Sequence, residues 1–161
     1  MQLNIKFTTT HAEEVYQNRE KPLNWKNGDS GIDLSFVSET EKEVTIEPNE
    51  TKLIKTGVCC QLKNVMGSTI QIENDDREIQ VRGRSGLNSK GILTHFGTVD
   101  YGYTGEIGVV MTNLSGKPIT FKEGERIAQI VVAPIFKPEI CFVSSLEQTE
   151  RGNEGFGSTG L

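Results

Sequence analysis

Short runs of β-branched and aromatic residues, separated by residues that favour turns, recur along most of this 161-residue chain. About ten such runs follow one another at intervals of roughly 8–12 residues, a spacing typical of β-sandwiches and barrels. The sequence therefore predicts an all-β barrel or jelly roll. The predicted strands occupy residues 2–8, 32–38, 43–48, 51–62, the two arms of 68–83, 91–99, 105–113, two strands within 118–136, and 139–146.

The segments outside these strands indicate the domain organisation. Residues 9–29 are polar and irregular, and residues 83–90 are predicted to form one short helical turn. Apolar residues nearly vanish after Leu146, and a segment that polar cannot bury enough surface to order itself. We therefore expect one domain with its own core, residues 1–146, followed by a mobile C-terminal arm, residues 147–161.

Charge and composition exclude several classes of protein. The formal net charge is −5 and no basic run of five residues occurs, so we expect no nucleic-acid partner. No stretch approaches 18 apolar residues and the N-terminus has no apolar signal region, so we expect no membrane insertion and a cytoplasmic location. Cys59, Cys60 and Cys141 are an odd number, which is not a disulfide framework.

Residues 97–108, GTVDYGYTGEIG, are interpreted as a β-hairpin whose tip carries a carboxylate and, three residues later, an aromatic ring. The Asp100 carboxylate can accept a proton from water. Tyr103 can lay a flat apolar face against a sugar, and glycines such as Gly97 and Gly108 let a ligand approach the backbone. The alternative is an ordinary surface hairpin whose Asp and Gly residues serve only the turn.

Three further motifs combine charged or polar groups with glycine. GRSG places Arg84, Ser85 and Gly86 on one turn, where a phosphate would find a cation and free backbone N–H groups; a solvated Arg beside a capping Ser is the alternative. Asp33 in SGID stands at a strand start, and Gln129 in GERIAQ is an amide among apolar neighbours that needs partners if buried.

The C-terminal segment RGNEGFGSTG frames one aromatic ring and two hydroxyls with glycines. It is similar to a phosphate cradle, although the absence of Lys excludes a P-loop. Phe156 could stack on a base, an interaction worth roughly 1–3 kcal/mol. A flexible glycine tail is the alternative, and an isolated ring argues against it.

Together, SGIDL, GRSGL, GTVDYGYTGEIG, GERIAQ and RGNEGFGSTG resemble the five motifs of the homotrimeric dUTPase family. The resemblance spans residues 30–160 and implies a distorted jelly-roll β-barrel that assembles as a homotrimer. Two departures occur. Gly83 stands where the family usually has Pro, and residues 64–79 are longer than the family's usual approach to the second motif.

The resemblance implies hydrolysis of dUTP to dUMP and pyrophosphate with Mg²⁺, which limits uracil in DNA and supplies dUMP for thymidylate synthesis. Asp100 would deprotonate the water that attacks the α-phosphorus, and Asp33 would support the Mg²⁺ shell through water. Tyr103 would lie under the deoxyribose. The residues implied in binding phosphate, uracil or the closed arm are Arg84, Ser85, Gly86, Gly97, Gly108, Gln129, Arg151, Phe156, Gly157, Ser158 and Thr159.

Three alternatives stay open at this point. A dCTP deaminase, or a bifunctional relative on the same fold, uses a similar RS-type motif. A nucleotide-gated regulatory protein would use residues 64–79 as its partner surface, with or without catalysis. A β-rich trimeric scaffold leaves the five motifs unexplained.

Overall fold

The computed structural model describes residues 2–21, 23–24, 28–63, 77–100 and 102–153. Within these residues the chain forms ten strands and two helices, which confirms a mostly-β fold. The strands are β1 (Gln2–Phe7), β2 (Ile32–Ser35), β3 (Glu43–Ile46), β4 (Thr51–Lys63), β5 (Arg77–Arg82), β6 (Ile92–Thr94), β7 (Gly97–Val99), β8 (Glu106–Asn113), β9 (Ile119–Lys122) and β10 (Arg126–Pro134). The helices are α1 (Thr10–Asn18) and α2 (Ser85–Asn88).

The strands form three antiparallel sheets around one core. Two sheets have four strands, in the orders β1-β4-β8-β6 and β2-β10-β5-β7, and the third pairs β3 with β9. Alternation explains the burial of β8, where Ile107, Val109 and Met111 are buried and the residues between them are less so. The buried apolar cluster takes residues from all three sheets.

The hydrogen-bonded pairing of the described strands does not close a ring. Two four-stranded antiparallel sheets are the composition of a jelly roll. The closed, distorted barrel stays a prediction. The described helices have nine and four residues, and neither is long and apolar enough to cross a membrane.

The predicted hairpin at residues 97–108 is wrong. β7 pairs with β5, where Gly97 lies opposite Val81, whereas β8 pairs with β4 and β6 in the other four-stranded sheet. The connection between β7 and β8 therefore crosses from one sheet to the other. The single strand predicted at residues 91–99 is also wrong, because these residues form two strands, β6 and β7, in different sheets. A period of two indicates which face of a strand is buried and not which strand lies alongside it.

The prediction of an irregular segment at residues 9–29 missed helix α1. Thr9 caps it, with its side-chain oxygen accepting from the Ala12 N–H at 3.1 Å. Ala12 and Tyr16 are buried one turn apart. Ala12 packs against Gly57, where φ is +69° and a Cβ would lie 2.7 Å from the Ala12 Cβ, so this contact requires glycine.

The predicted strand at residues 139–146 is also absent, because the described chain has no strand after β10. Phe136, Ile140, Phe142 and Leu146 are instead at least 80% exposed. A strand needs a neighbour to hydrogen-bond with, and the described residues of a single chain offer this segment none. Of the two arms predicted within residues 68–83, the second contains β5, and residues 68–76 lie outside the described residues.

Candidate functional site

Asp33 on β2 has both carboxylate oxygens in ion pairs. Its Oδ1 accepts from Arg84 Nε at 3.1 Å, and its Oδ2 accepts from Arg126 Nη1 at 2.8 Å. Arg84 Nη1 also donates to the main-chain oxygen of Arg126 at 2.9 Å. The three side chains are only about a quarter exposed, at 24–27%, so these charge-assisted bonds are less screened than surface pairs. We call these three residues the Asp33 cluster.

Strand register brings the cluster together. β10 lies between β2 and β5, with Gln129 opposite Asp33 on one side and opposite Arg82 on the other. The Gln129 Nε2 donates to the main-chain oxygen of Gly83 at 3.1 Å, which supplies the polar partner that the sequence required. A Cβ at Gly31 would lie 2.6 Å from the Gln129 Oε1, so glycine there leaves room for the amide.

A cavity of about 240 Å³ opens beside the cluster. Its lining includes the predicted site residues Asp33, Arg84, Ser85, Gly86 and Gln129, and also Lys21, Asp29 and Arg126. Three cations therefore face two carboxylates. A cavity with excess positive charge, a hydroxyl and an amide suits an anionic oxygen ligand such as a phosphate.

Helix α2 confirms the predicted helical turn. The backbone of Arg84 is extended, and its oxygen accepts from the N–H groups of Leu87 and Asn88 at 3.0 Å each. A Cβ at Gly83 would approach the Asn88 Oδ1 to 2.8 Å. A proline ring at position 83 would displace the Asn88 amide, which gives a local reason for glycine where the family usually has proline.

The Asp33 cluster fits an indirect metal contact better than direct ligation. Each carboxylate oxygen already accepts one bond from an arginine but keeps a lone pair that a water molecule can use. No group of three His, Cys, Asp or Glu side chains in the described ranges could hold a metal ion. A hard cation such as Mg²⁺ keeps several waters and binds mainly to phosphate oxygens, which agrees with this arrangement.

Asp100 and Tyr103 share a tight turn on the connection between β7 and β8. The Tyr103 N–H donates to the main-chain oxygen of Asp100 at 2.9 Å, and the Tyr103 hydroxyl donates to the main-chain oxygen of Glu106 at 2.8 Å. A Cβ at Gly105 would lie 2.5 Å from the Tyr103 hydroxyl oxygen, so glycine is needed for this ring position. Asp100 is exposed, and Tyr103 is about half exposed.

Asp100 does not lie beside Asp33 in one chain. Both aspartates can be located relative to β5. Through Gln129 on β10, Asp33 is level with Arg82 of β5. Val99 lies opposite Ile79, so the next residue, Asp100, is level with Glu78 of β5. Three strand spacings and four residues along the strands separate the two aspartates by roughly 19 Å. The structure therefore brings together one group of predicted site residues, around Asp33, and leaves Asp100 and Tyr103 in a second group.

Gly97 and Gly108 differ in their surroundings. A Cβ at Gly97 would meet Val81 at an ordinary 3.6 Å. At Gly108 it would lie 2.6 Å from the Leu53 Cδ1, so packing within the chain already accounts for that glycine. The expectation that both positions admit a ligand to the backbone stays a prediction.

The C-terminal motif is only partly within the described residues. Arg151 is exposed, and Gly152 has a positive φ of +52° and donates to the Thr149 main-chain oxygen at 3.0 Å. The predicted site residues Phe156, Gly157, Ser158 and Thr159 lie outside the described residues, as do most of the positions in the proposed partner surface at residues 64–79.

Sequence reasoning missed two arginines near Asp33. Arg126 stands in GERIAQ, three residues before Gln129, and the motif was interpreted only for its amide. Arg19 follows helix α1 and donates to the main-chain oxygen of Asp33 at 2.9 Å. The Thr9 cap and the spacing of Ala12, Tyr16 and Arg19 were the signal that could have found it.

A family model, curated relatives and solved structures that are similar to this chain are all dUTPases. The dUTPase family model matches residues 18–160. The deoxyuridine 5'-triphosphate nucleotidohydrolase of Clostridium novyi (strain NT) is 40% identical over 143 residues, which cover 87% of this chain and 90% of that relative. A mutant dUTPase of Staphylococcus bacteriophage 80alpha, solved with dUpNHpp, has a TM-score of 0.72 at 25% identity and covers 99% of both chains.

A third similar protein is a mutant dUTPase from phage phi11 of S. aureus. Its TM-score is 0.69 at 22% identity, and the match covers 92% of this chain and all of that one. At this identity the likeness concerns the fold alone. That structure is described as revealing the coordination of a structural Mg(II) ion.

Proposed function

This chain belongs to the dUTPase family, and from this premise we infer that it is a dUTP diphosphatase. The single observation that carries the finer proposal is the polar cavity beside Asp33, where Arg84, Ser85 and Gln129 face one volume. We propose that this cavity takes the triphosphate of dUTP. The products are dUMP and pyrophosphate, so the enzyme limits uracil in DNA and supplies dUMP for thymidylate synthesis.

Substrate choice tests this function directly. Pyrophosphate release is measured with dUTP, UTP, dCTP and dTTP side by side, with and without Mg²⁺. We expect release from dUTP far above the other three. Ammonia release from dCTP would instead identify a deaminase, and no turnover of any nucleotide would contradict the proposal.

The phosphate end of the site is assigned to three side chains. Arg84 presents a guanidinium to phosphate oxygens, while its Nε stays on Asp33. Ser85 lies at the first position of α2 and would donate near the oxygen that bridges the α- and β-phosphates. Negative charge develops on that oxygen as pyrophosphate leaves, so a donor placed there stabilises the transition state more than the substrate.

Asp33 would hold Mg²⁺ through a water molecule, in agreement with its two arginine-paired but incompletely used oxygens. When bound, Mg²⁺ would neutralise phosphate charge and favour one conformer of the triphosphate. The arginines fix the orientation of the carboxylate from both sides. The remaining lone pairs of Asp33 are thus held on a carboxylate of fixed orientation.

Asp100 is proposed as the general base. Its carboxylate takes a proton from a water molecule as the water oxygen bonds to the α-phosphorus. The bond from that phosphorus to the α–β bridging oxygen breaks, and its electron pair leaves with pyrophosphate. The exposure of Asp100 on the turn allows it to reach a substrate held by another surface.

The separation of Asp100 from Asp33 supports sites shared between subunits of a homotrimer. Since roughly 19 Å separates the backbone positions of the two aspartates in one chain, we propose that a second copy supplies Asp100 to the triphosphate held beside Asp33. The exposed apolar side chains after β10, including Phe136, Ile140 and Phe142, also need a covering surface. We propose that neighbouring subunits provide it.

Complementation between two inactive chains is the expected sign of a shared site. Chains carrying Asp100→Asn and chains carrying Arg84→Ala are co-expressed with different tags, and mixed trimers are isolated. The isolated mixed trimers should have about a third of wild-type activity, because one of the three sites in each then combines an intact Arg84 with an intact Asp100. Each variant alone is the control, and light scattering gives the oligomeric state. Mixed trimers as inactive as their parents would contradict sharing.

Tyr103 is proposed to select deoxyribose over ribose. Its ring is held by the hydrogen bond to the Glu106 main chain and by the absence of a side chain at Gly105. A ring whose hydroxyl is held in this way would present a flat surface under the sugar, with no room for a 2′-hydroxyl.

We expect Tyr103→Ala to raise the UTP:dUTP ratio of kcat/KM about tenfold, with a smaller effect on stability because the ring is about half exposed. Tyr103→Phe, which removes only the hydroxyl bonded to Glu106, should change the ratio less. Steady-state kinetics on both nucleotides checks this. An unchanged ratio in Tyr103→Ala would assign sugar selection to another residue.

The remaining assignments complete the pocket. Backbone groups near Gly97 and Gly108 are proposed to pair with uracil, and the C-terminal arm is proposed to cover the bound nucleotide. In the arm, Phe156 would stack on uracil. The arm residues proposed to contact phosphate are Arg151, Gly157, Ser158 and Thr159.

A further inference from the structure

Strand β2, which carries Asp33, lies at the edge of its sheet, with β10 as its one neighbour in the described sheet. In an antiparallel pair, alternate residues direct their main-chain groups away from the partner strand. An edge strand therefore presents unpaired N–H and C=O groups, and it is held less firmly than a central strand. The position of the Asp33 carboxylate depends on what occupies this free edge.

Two side chains from helix α1 and its end occupy it. The Tyr16 hydroxyl accepts from the Ser35 N–H at 3.0 Å and lies 3.4 Å from the Ser35 oxygen. Arg19 Nη1 donates to the main-chain oxygen of Asp33 and to the Ser35 Oγ, both at 2.9 Å. These are alternate residues of β2, so Tyr16 and Arg19 take the place of a missing neighbouring strand.

The two side chains also hold each other. The Arg19 guanidinium lies 4.5 Å from the centroid of the Tyr16 ring, a distance suited to a cation–π interaction. Tyr16 is 2% exposed, so the ring is a fixed surface. Arg19 is thus oriented by Tyr16 on one side and by β2 on the other.

The partly buried guanidinium of Arg19 carries a desolvation cost that fold stability alone does not explain. Burial lowers the pKa of its guanidinium, Arg126 acts in the same direction, and Tyr16 and Asp33 oppose them. Its Nε and Nη2 are buried and have no hydrogen-bond partner in the described part of the chain. An unbranched apolar side chain of similar length would avoid this desolvation. What an apolar side chain cannot supply is the donor to Asp33 and a positive charge behind its carboxylate.

We propose that Arg19 is a positioning residue for Asp33, which it holds at the main-chain oxygen while Arg84 and Arg126 hold the carboxylate. The inference rests on the proposed role of Asp33 at the Mg²⁺–triphosphate. Asp33 is then fixed at both ends, by three guanidinium groups from three separate segments. The polar segment before β2 becomes part of the site without contacting the substrate.

The test replaces Arg19 by Met, which keeps the length of the side chain and removes its donors and charge. Gln17→Met is the matched control, because Gln17 lies exposed on the same helix and bonds only to Glu13 among the described residues. Four quantities are measured: the Mg²⁺ concentration for half-maximal rate, the affinity for dUpNHpp with and without Mg²⁺, amide exchange of the 32–35 peptide, and Tm.

We expect Arg19→Met to raise the half-maximal Mg²⁺ concentration and to weaken Mg²⁺-dependent analogue binding, each about tenfold. Exchange at residues 32–35 should accelerate by a similar factor while β4 and β8 stay protected. Gln17→Met should match the wild type in all four measurements. Arg19→Lys, which restores the charge and one donor, should recover part of the loss.

A purely structural role would lower Tm and leave the Mg²⁺ requirement of the folded protein unchanged, which would overturn the proposal. If Arg19→Met does not fold, Tyr16→Phe decides, because it removes only the hydroxyl bonded to Ser35. It must then accelerate exchange at residues 32–35 and raise the Mg²⁺ requirement at least about threefold. Wild-type values there would overturn the proposal too.

The proposed function can fail separately. If the wild-type protein does not hydrolyse dUTP, that function is wrong, while amide exchange at residues 32–35 still reports whether Arg19 holds Asp33. If dUTP is hydrolysed and Arg19→Met behaves as the wild type does, only the role of Arg19 is wrong.

Discussion

Asp100→Asn is expected to lower kcat for dUTP about 10²–10⁴-fold, the usual cost of losing a general base. Asparagine has nearly the same shape but cannot take the proton of the attacking water. The turn itself should persist, because the main-chain oxygen of Asp100, and not its carboxylate, accepts the Tyr103 N–H. Steady-state kinetics and dUpNHpp binding measured together should show lost turnover with retained affinity.

The control for this variant is Glu41→Gln, which neutralises an exposed carboxylate between β2 and β3. It should leave kcat unchanged, so that a loss in Asp100→Asn is not an effect of net charge. A kcat within about threefold of the wild type in Asp100→Asn would remove Asp100 from the role of base.

Cutting the chain after Glu147 is expected to lower kcat/KM at least about a hundredfold. Stacking of Phe156 on uracil alone would contribute roughly 1–3 kcal/mol. Arg151, Ser158 and Thr159 would add charge-assisted hydrogen bonds to phosphate. Tm should change little, because residues 147–153 are exposed and add nothing to the buried core cluster.

Phe156→Ala separates the ring from the rest of the arm. It should lose about tenfold in kcat/KM, less than the truncation, and keep the wild-type Tm. Thermal unfolding and dUTP kinetics on the three proteins check both expectations. A truncated protein that turns over dUTP at the full rate would show that the arm does not cover the site.

Strand positions could be predicted from the sequence because burial on a pleated strand has a period of two. β8 is the clearest case, with Val109 and Met111 buried and Val110 exposed between them. The partner of each strand could not be predicted in this way. β7 and β8 follow one another closely and still belong to different sheets, because pairing is decided by long-range packing that no local pattern records.

The site could be predicted in part for a similar reason. Glycine-flanked polar motifs indicated Asp33, Arg84 and Gln129, which line one cavity. Helix α1 gave a weaker signal, since two buried residues in nine produce only a faint apolar stripe among charged neighbours. Arg19 was therefore not singled out, and its role is visible only in its contacts with β2.

If neighbouring subunits share sites as proposed, the separation of Asp100 from Asp33 has a consequence for inheritance. A defective allele that damages both carboxylates would spoil sites in which its product supplies either one. When half the subunits come from that allele, roughly a quarter of the sites stay intact, whereas self-contained subunits would keep half. Such an allele would be partially dominant. The dUTPase activity of a cell would vary with the square of the fraction of intact subunits, and not in proportion to that fraction.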